Sequence, residues 1–284
     1  MQVAKCTFTT SFLVLLMVGL AIAGPFHPPL RQCFDRGLQH ELEKTLKRQG
    51  LMSAVRDKQL SVALVDITDL QRPRMAAVNG NEMIYAASLP KIAILLGAFV
   101  LIEQGRMTLN DTTRATLVEM IRVSSNTAAT EMLHRVGKAN LAALLQSDRY
   151  RLYDPSVNGG LWVGKDYGKA PAWKRDPLHG LSHGATAIQT ARFYYLLETH
   201  QLVSADLSQE MKSILSRPAL RHKFVKGLEA RPGSKIYRKS GSWRNWHADS
   251  AIVEREGYKY IVVALAQHPD GGRWMSRLIV HLDD

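Results

Sequence analysis

Ser88 and Lys91 are the residues whose types and spacing most directly suggest chemistry. A serine hydroxyl is a weak nucleophile until a neighbouring base takes its proton, and a lysine can do so once burial or a nearby positive charge lowers its pKa. The two residues stand three apart in Ser88-Leu89-Pro90-Lys91, ahead of the apolar run Ile92 to Ile102. Residues three apart share a helix face, so the Ser88 hydroxyl and the Lys91 amine are expected within hydrogen-bond reach. The S-x-x-K pattern alone arises by chance about once in a chain of this length. A second pattern, His179 and His183 at i, i+4, could hold zinc on a helix, but Gly180 and Gly184 argue against a helix there and no further ligand set accompanies the pair.

The elements that must position these residues can be read from periodicity. The Ile92 to Ile102 run is too short to span a bilayer, which takes about twenty residues, so it reads as a helix enclosed by protein. Pro90 suits its first turn and Gly105 its C-terminal cap. Before it, Asp35 to Gln49 reads as a helix, Gln59 to Ile67 as a buried strand, and Arg74 to Val78 as its hairpin partner. After it, Leu117 to Val123, Thr127 to Val136 and Ala139 to Gln146 read as helical, the first two interrupted by Ser124-Ser125-Asn126. Asp154 to Gly184, rich in Gly, Pro and Trp, reads as a long ordered loop, and such loops are usually functional. Helices return at Ala187 to Thr199 and Ser208 to Ser216. Three strands follow, Lys235 to Lys239, Ala248 to Glu254 and Lys259 to Ala266, and a helix closes the chain from Arg273 to Leu282. The expected fold is α+β: a five-stranded antiparallel sheet built from both chain ends, with an all-helical subdomain of about 88–228 inserted.

At 284 residues and 46% hydrophobic content the chain can bury a real core. Lys5, the apolar stretch Phe12 to Ala23 and the small residues Ala21-Ile22-Ala23 read as a signal peptide over 1–23, followed by a flexible lead-in over 24–34 and a catalytic domain over 35–284. The expected setting is therefore outside the cytoplasm, periplasmic or extracellular, with no stable membrane insertion after cleavage. Removal of Cys6 would leave Cys33 as the only thiol, so the fold is expected to stand without an intrachain disulfide. The formal charge of +12 would attract polyanions, but the basic residues are scattered and follow no nucleic-acid motif. A monomer without nucleic-acid partner, cofactor or metal is expected.

Three elements in order carry a resemblance. Ser88-Leu89-Pro90-Lys91, Ser124-Ser125-Asn126 and Lys239-Ser240-Gly241 are similar to the S-x-x-K, S-x-N and K-[ST]-G set of serine β-lactamases and penicillin-binding proteins. Val123 to Ala129 further resembles the class A segment in which S-D-N is followed by T-A-A. The resemblance, from Asp35 to the C-terminus, implies a β-lactamase/transpeptidase-like fold that opens β-lactams through an ester on Ser88. It implies that Lys91 shuttles the Ser88 proton and Ser124 passes a proton to the departing nitrogen. Lys239 and Ser240 would receive the substrate carboxylate, Asn126 its amide, and the backbone N–H groups of Ser88 and Ser242 the oxyanion. Gly241 completes the motif.

Departures from the family pattern are as informative. From Ser88 to Ser124 is 36 positions, shorter than in typical class A enzymes, so a trimmed helical subdomain is expected. Those enzymes carry E-x-x-L-N, whose glutamate activates the deacylating water, and no such glutamate exists here. Asp154-Pro155-Ser156-Val157-Asn158 is the nearest candidate, with Asp154 as base and Asn158 as its companion, although Asp-Pro also starts turns. The family's arginine after K-[ST]-G has no counterpart at Ala248-Asp249, and Arg244 is the candidate substitute. Trp243 and Trp246 are read as cleft edge or sheet packing. The rivals to a β-lactamase are a penicillin-binding D-alanyl-D-alanine peptidase, a related esterase and, from another class, a polyanion-binding envelope protein.

Overall fold

The computed structural model describes residues 27–283; the signal peptide expected over 1–23 lies outside the described residues, as does the start of the lead-in. The described part of that lead-in is pinned, not loose. Tyr195 Oη donates to the Pro28 carbonyl (2.8 Å), Leu30–Gln32 closes a 3-10 turn that buries Leu30, and Phe34 pairs with Met75.

Helix α1 (Arg36–Arg48) starts at Asp35, whose side chain accepts from Leu38 N and satisfies one of the free N–H groups of the first turn. Then come α2 (Met52–Arg56), β1 (Leu60–Asp66), β2 (Arg74–Val78) and the short β3 (Ile84–Tyr85). The helical block opens with α3 (Lys91–Glu103), α4 (Asp111–Val118), α5 (Asn126–Val136) and α6 (Lys138–Gln146). The long loop carries β4 (Tyr153–Asp154), β5 (Gly159–Gly160), β6 (Trp162–Val163) and β7 (His183–Ala185), so the inserted segment is mainly helical but not wholly so. The chain returns through α7 (Ala187–Glu198), α8 (Ala205–Leu215) and α9 (Phe224–Leu228) to β8 (Lys235–Trp243), β9 (Trp246–Arg255), β10 (Tyr258–Gln267) and α10 (Gly271–Leu282).

The five-stranded sheet has the order β2-β1-β10-β9-β8, with every neighbouring pair antiparallel. Both chain ends build it, as the pattern of strands implied. Alternation along β1 sends Leu60, Val62 and Leu64 to the layer with α1, α9 and α10, and Ala63 and Val65 to the layer with the helical block. α3 lies wholly inside the second layer, buried from Lys91 to Leu101, which explains why it carries no polar face. A Cβ on Gly97 would stand 2.7 Å from Val136 Cγ1, so this position lets α3 and α5 cross closely. Among the described residues no helix is long and apolar enough to cross a membrane.

Two differences from the sequence reading bear on the site. β8 runs on to Trp243, so Ser240, Gly241 and Ser242 are strand residues on the edge of the sheet. α4 begins at Asp111, six residues before the expected Leu117, because Asn110 caps it by accepting from Thr113 N.

Candidate active site

Ser88 sits in a tight turn between β3 and α3. The turn is held by Leu89 N donating to Ala86 O (3.0 Å) and Lys91 N to Ser88 O (3.3 Å), with Pro90 at the helix N-cap. Ala87, the residue before Ser88, has φ 50°, a strained conformation for a side chain with a Cβ. Strand β8 passes directly against this turn. A Cβ on Gly241 would lie 2.1 Å from Ala86 O and 2.8 Å from both Ser88 N and Leu89 N, so only glycine permits the approach. Lys239-Ser240-Gly241 is thereby brought to Ser88-Leu89-Pro90-Lys91, and the backbone of Ser242 follows one residue on.

The third motif enters from below. A π turn, Glu119–Val123, ends in Ser124 with φ 63° and ψ 30°, after which Ser125 caps α5 by accepting from Ala128 N. Lys239 Nζ donates to Ser124 Oγ (2.8 Å) and to Ser240 O (2.7 Å). Lys91 Nζ reaches Ser124 O (2.5 Å), Asn126 Oδ1 (2.9 Å), Ser125 O (3.1 Å) and Ser124 Oγ (3.4 Å). The expected bond between Lys91 and the Ser88 hydroxyl is replaced by these four. Both lysines are buried, and among the described residues no carboxylate is one of their hydrogen-bond partners. Burial lowers Lys91 to about 7, and burial with the charges of Lys91 and Arg238 holds Lys239 well below the usual lysine range. One hydroxyl between two such amines can relay a proton in either direction.

The substrate-carboxylate side is arranged differently from the sequence reading. Arg244 occupies the β8–β9 turn at φ 49°, exposed, with its guanidinium 5.7 Å from the Trp243 ring centroid. It is not brought to the lysines. Lys223, which the sequence reading missed, is buried behind β8 with Nζ donating to Gly241 O (2.6 Å), Ser242 Oγ (2.8 Å) and Ala248 O (3.0 Å). Burial lowers it to about 8 in spite of Asp249. Asp249 is already engaged by Arg238 through two bonds of 2.7 and 2.8 Å. Lys223, Lys239 and Arg238 thus gather basic groups around Ser240, with Asp249 already bonded to Arg238, a setting that suits an anionic substrate group. No local signal singles out Lys223; its backbone has φ 55°, and only the fold turns its side chain to β8.

The loop after α6 places Asp154 and Asn158 away from this group. The Asp154 carboxylate accepts from Ser156 N and Oγ and pairs with Arg151 at 2.7 Å. Burial pushes this carboxyl up, but the Ser156 bonds and Arg151 outweigh it and hold it below the usual range. Asn158 bonds Asn81 O and His179 Nε2. None of these bonds reaches Ser88, Lys91, Ser124 or Lys239. Instead the loop lays Tyr167 over Lys91, with Nζ 4.6 Å from the ring centroid. Thr130 on α5 fixes Tyr167 by accepting from its N–H (3.0 Å) and donating to its carbonyl (3.4 Å). His183 stacks on the same ring, with centroids 4.3 Å apart and planes at 6°. His179 and His183 thus go to separate partners. Asp176 organises the loop by accepting from the N–H groups of Leu178, His179 and Leu181 and from Tyr153 Oη. Trp246 packs edge-on against Tyr85, while Trp243 is largely exposed.

Fold and site together are those of a β-lactamase-like serine hydrolase. The chain matches the beta-lactamase enzyme family over residues 112–280, more than half its length, and belongs to that family. A search of curated proteins finds no match. Among solved structures, PBP-A superposes with a TM-score of 0.65 at 17% identity, covering 90% of this chain and 97% of that one. A class A β-lactamase from Bacteroides cellulosilyticus gives 0.66 at 12%, covering 88% and 98%. A β-lactamase from Sphaerobacter thermophilus gives 0.65 at 13%, covering 86% and 95%. At these identities the superpositions speak for the fold alone.

Proposed function

We propose that the chain opens β-lactams by forming an ester on Ser88 and releases the product slowly. The observation that carries this reading is Ser124 Oγ, 2.8 Å from Lys239 Nζ and 3.4 Å from Lys91 Nζ, with both lysines buried beside the nucleophile turn. Ser88 Oγ attacks the lactam carbonyl, and its proton passes to Lys91, whose neutral form is accessible near pH 7. The proton moves through Ser124 to the ring nitrogen as the C–N bond breaks. The N–H groups of Ser88 and Ser242 meet the oxyanion, and Lys239 with Ser240 meets the substrate carboxylate. A mutant of the similarly folded PBP-A is described as an acyl-enzyme complex with penicillin G, which supports this chemistry for the fold.

A second reading, a penicillin-binding D-alanyl-D-alanine peptidase, is favoured by one observation: among the described residues, no carboxylate stands among the hydrogen-bond partners of Lys91 or Lys239. Such a site would acylate with penicillin yet turn it over poorly. An exported setting, proposed from the leader read over 1–23, suits either reading and is checked by cell fractionation. The test of the shared step is labelling with a fluorescent penicillin followed by peptide mapping. Label is expected on Ser88, and Ser88→Ala is expected to lose it entirely while keeping its melting temperature. Equal labelling of the alanine variant would remove Ser88 from the nucleophile role.

A further inference from the structure

Hydrolysis of an ester on Ser88 requires more than its formation. A water oxygen must bond to the acyl carbon while the bond to Ser88 Oγ breaks, one water proton passing to Oγ and the other leaving with the carboxylic acid. That water needs a base within about 3 Å, or one water away. Asp154 is engaged with Arg151 and Ser156, and Lys91 donates to three oxygens besides Ser124 Oγ. The Tyr167 ring lies over the Lys91 amine. Tyr167 is fixed three ways: its main chain by Thr130, one turn along α5 from the Lys91 partner Asn126; its ring by the stacked His183; and the ring again by the amine itself. The backbone of His183 in turn accepts from Ala86 N (3.1 Å), two residues from the nucleophile.

Neither aromatic group offers an anionic base. The Tyr167 hydroxyl and both ring nitrogens of His183 are buried with no hydrogen-bond partner among the described residues. Burial holds the phenol well above its ordinary pKa, and burial with the charges of Lys165 and Lys91 takes His183 down to about 3, so both stay neutral at physiological pH.

We infer that Tyr167 is a positioning residue that sets the lifetime of the acyl-enzyme: its ring, laid over Lys91, holds the amine on Ser124 and Asn126 and closes the adjoining space to a hydrolytic water. This rests on the acylation of Ser88 proposed above. The ring face also favours the charged amine, since a cation over a π-system is attracted to it.

The experiment acylates the full-length mature chain with penicillin G, removes the excess, and follows adduct decay by intact mass. Tyr167→Gly, which admits water beside Lys91 so that the neutral amine can take its proton and return it to Ser88 Oγ, is expected to shorten the adduct lifetime at least tenfold, and the conservative Tyr167→Phe to restore it, because the ring and not the hydroxyl does the work. Tyr167→Leu, which keeps the site apolar without a π face, is expected to move the rising limb of the acylation pH profile about half a unit lower. A role confined to packing would leave that limb in place. If Tyr167→Gly does not fold, the Phe and Leu variants still decide, since a shortened lifetime in Phe or an unmoved limb in Leu overturns the inference. Unlabelled wild-type chain would overturn the acylation reading and this inference with it. Normal labelling with equal lifetimes in all variants would overturn the inference alone.

Discussion

Two surfaces meet at Lys91, and they are built on opposite lines. On one side the Ser88 turn, Ser124 and β8 bring polar groups into contact: buried amines, a shared hydroxyl and an edge strand pressed against the nucleophile. On the other, the loop from β4 to β7 covers the same amine with stacked neutral rings and spends its carboxylates elsewhere, Asp154 on Arg151 and Asp176 on the loop's own N–H groups. On the proposed reading the first surface makes an ester and the second keeps water from it, a division that would let one family framework retain acylation while its second half-reaction changes.

The strongest way to break the comparison is to spoil the first surface without touching a side chain that does chemistry. A Cβ at Gly241 would lie 2.1 Å from Ala86 O, so Gly241→Ala must push β8 off the Ser88 turn and separate the Ser88 and Ser242 N–H groups proposed as oxyanion donors. Loss of such a donor costs about a hundredfold or more, and a fall of that size in the second-order rate of penicillin labelling is expected in a chain that still melts cooperatively. Labelling within threefold of the parent would show that the close approach is not needed.

A smaller effect sharpens the role of the amine. Burial takes Lys91 down to about 7, and the proposed acylation uses its neutral form. The neutral fraction falls about tenfold per unit below that value, so the labelling rate should drop by that factor from pH 6 to 5 and level off above about 8. A rate that is flat from pH 5 to 9, or that falls as pH rises, would remove Lys91 as the proton acceptor.

The first surface was legible in the sequence, and the second was not, for a physical reason. Ser88, Lys91, Ser124, Asn126 and Lys239 each sit in a short motif whose neighbours fix local geometry: Pro90 starts a helix, Ser125 caps one, Gly241 lets a strand approach. The sheet was legible through the alternation of β1 and the strong apolar runs of β9 and β10. The loop could not be read because its arrangement depends on distant anchors, Thr130 for Tyr167 and the N–H groups gathered by Asp176, which leave no period in the sequence. The Asp154 to Asn158 spacing matched a motif, yet the chain turns those side chains toward Arg151 and Asn81. Arg244 was placed by proximity in sequence, whereas Lys223 arrives from the far end of the helical block.

The smallest expected effect concerns that motif. Asp154→Ala should leave the decay of a penicillin adduct within about twofold of the parent, since its hydrogen bonds lie away from the lysines. A tenfold longer-lived adduct would give Asp154 the base role and place the second half-reaction on the loop after all.

The contrast between the two surfaces is tested most directly by the first turnover. The protein, mixed rapidly with excess chromogenic cephalosporin and sampled in parallel by intact mass, is expected to give a burst of about one equivalent per chain. A much slower linear phase should follow, with most of the protein carrying the acyl adduct. Linear colour from the first turnover, with no burst and no accumulated adduct, would mean that water reaches the ester as readily as the lactam reaches Ser88, and would contradict the division of labour around Lys91.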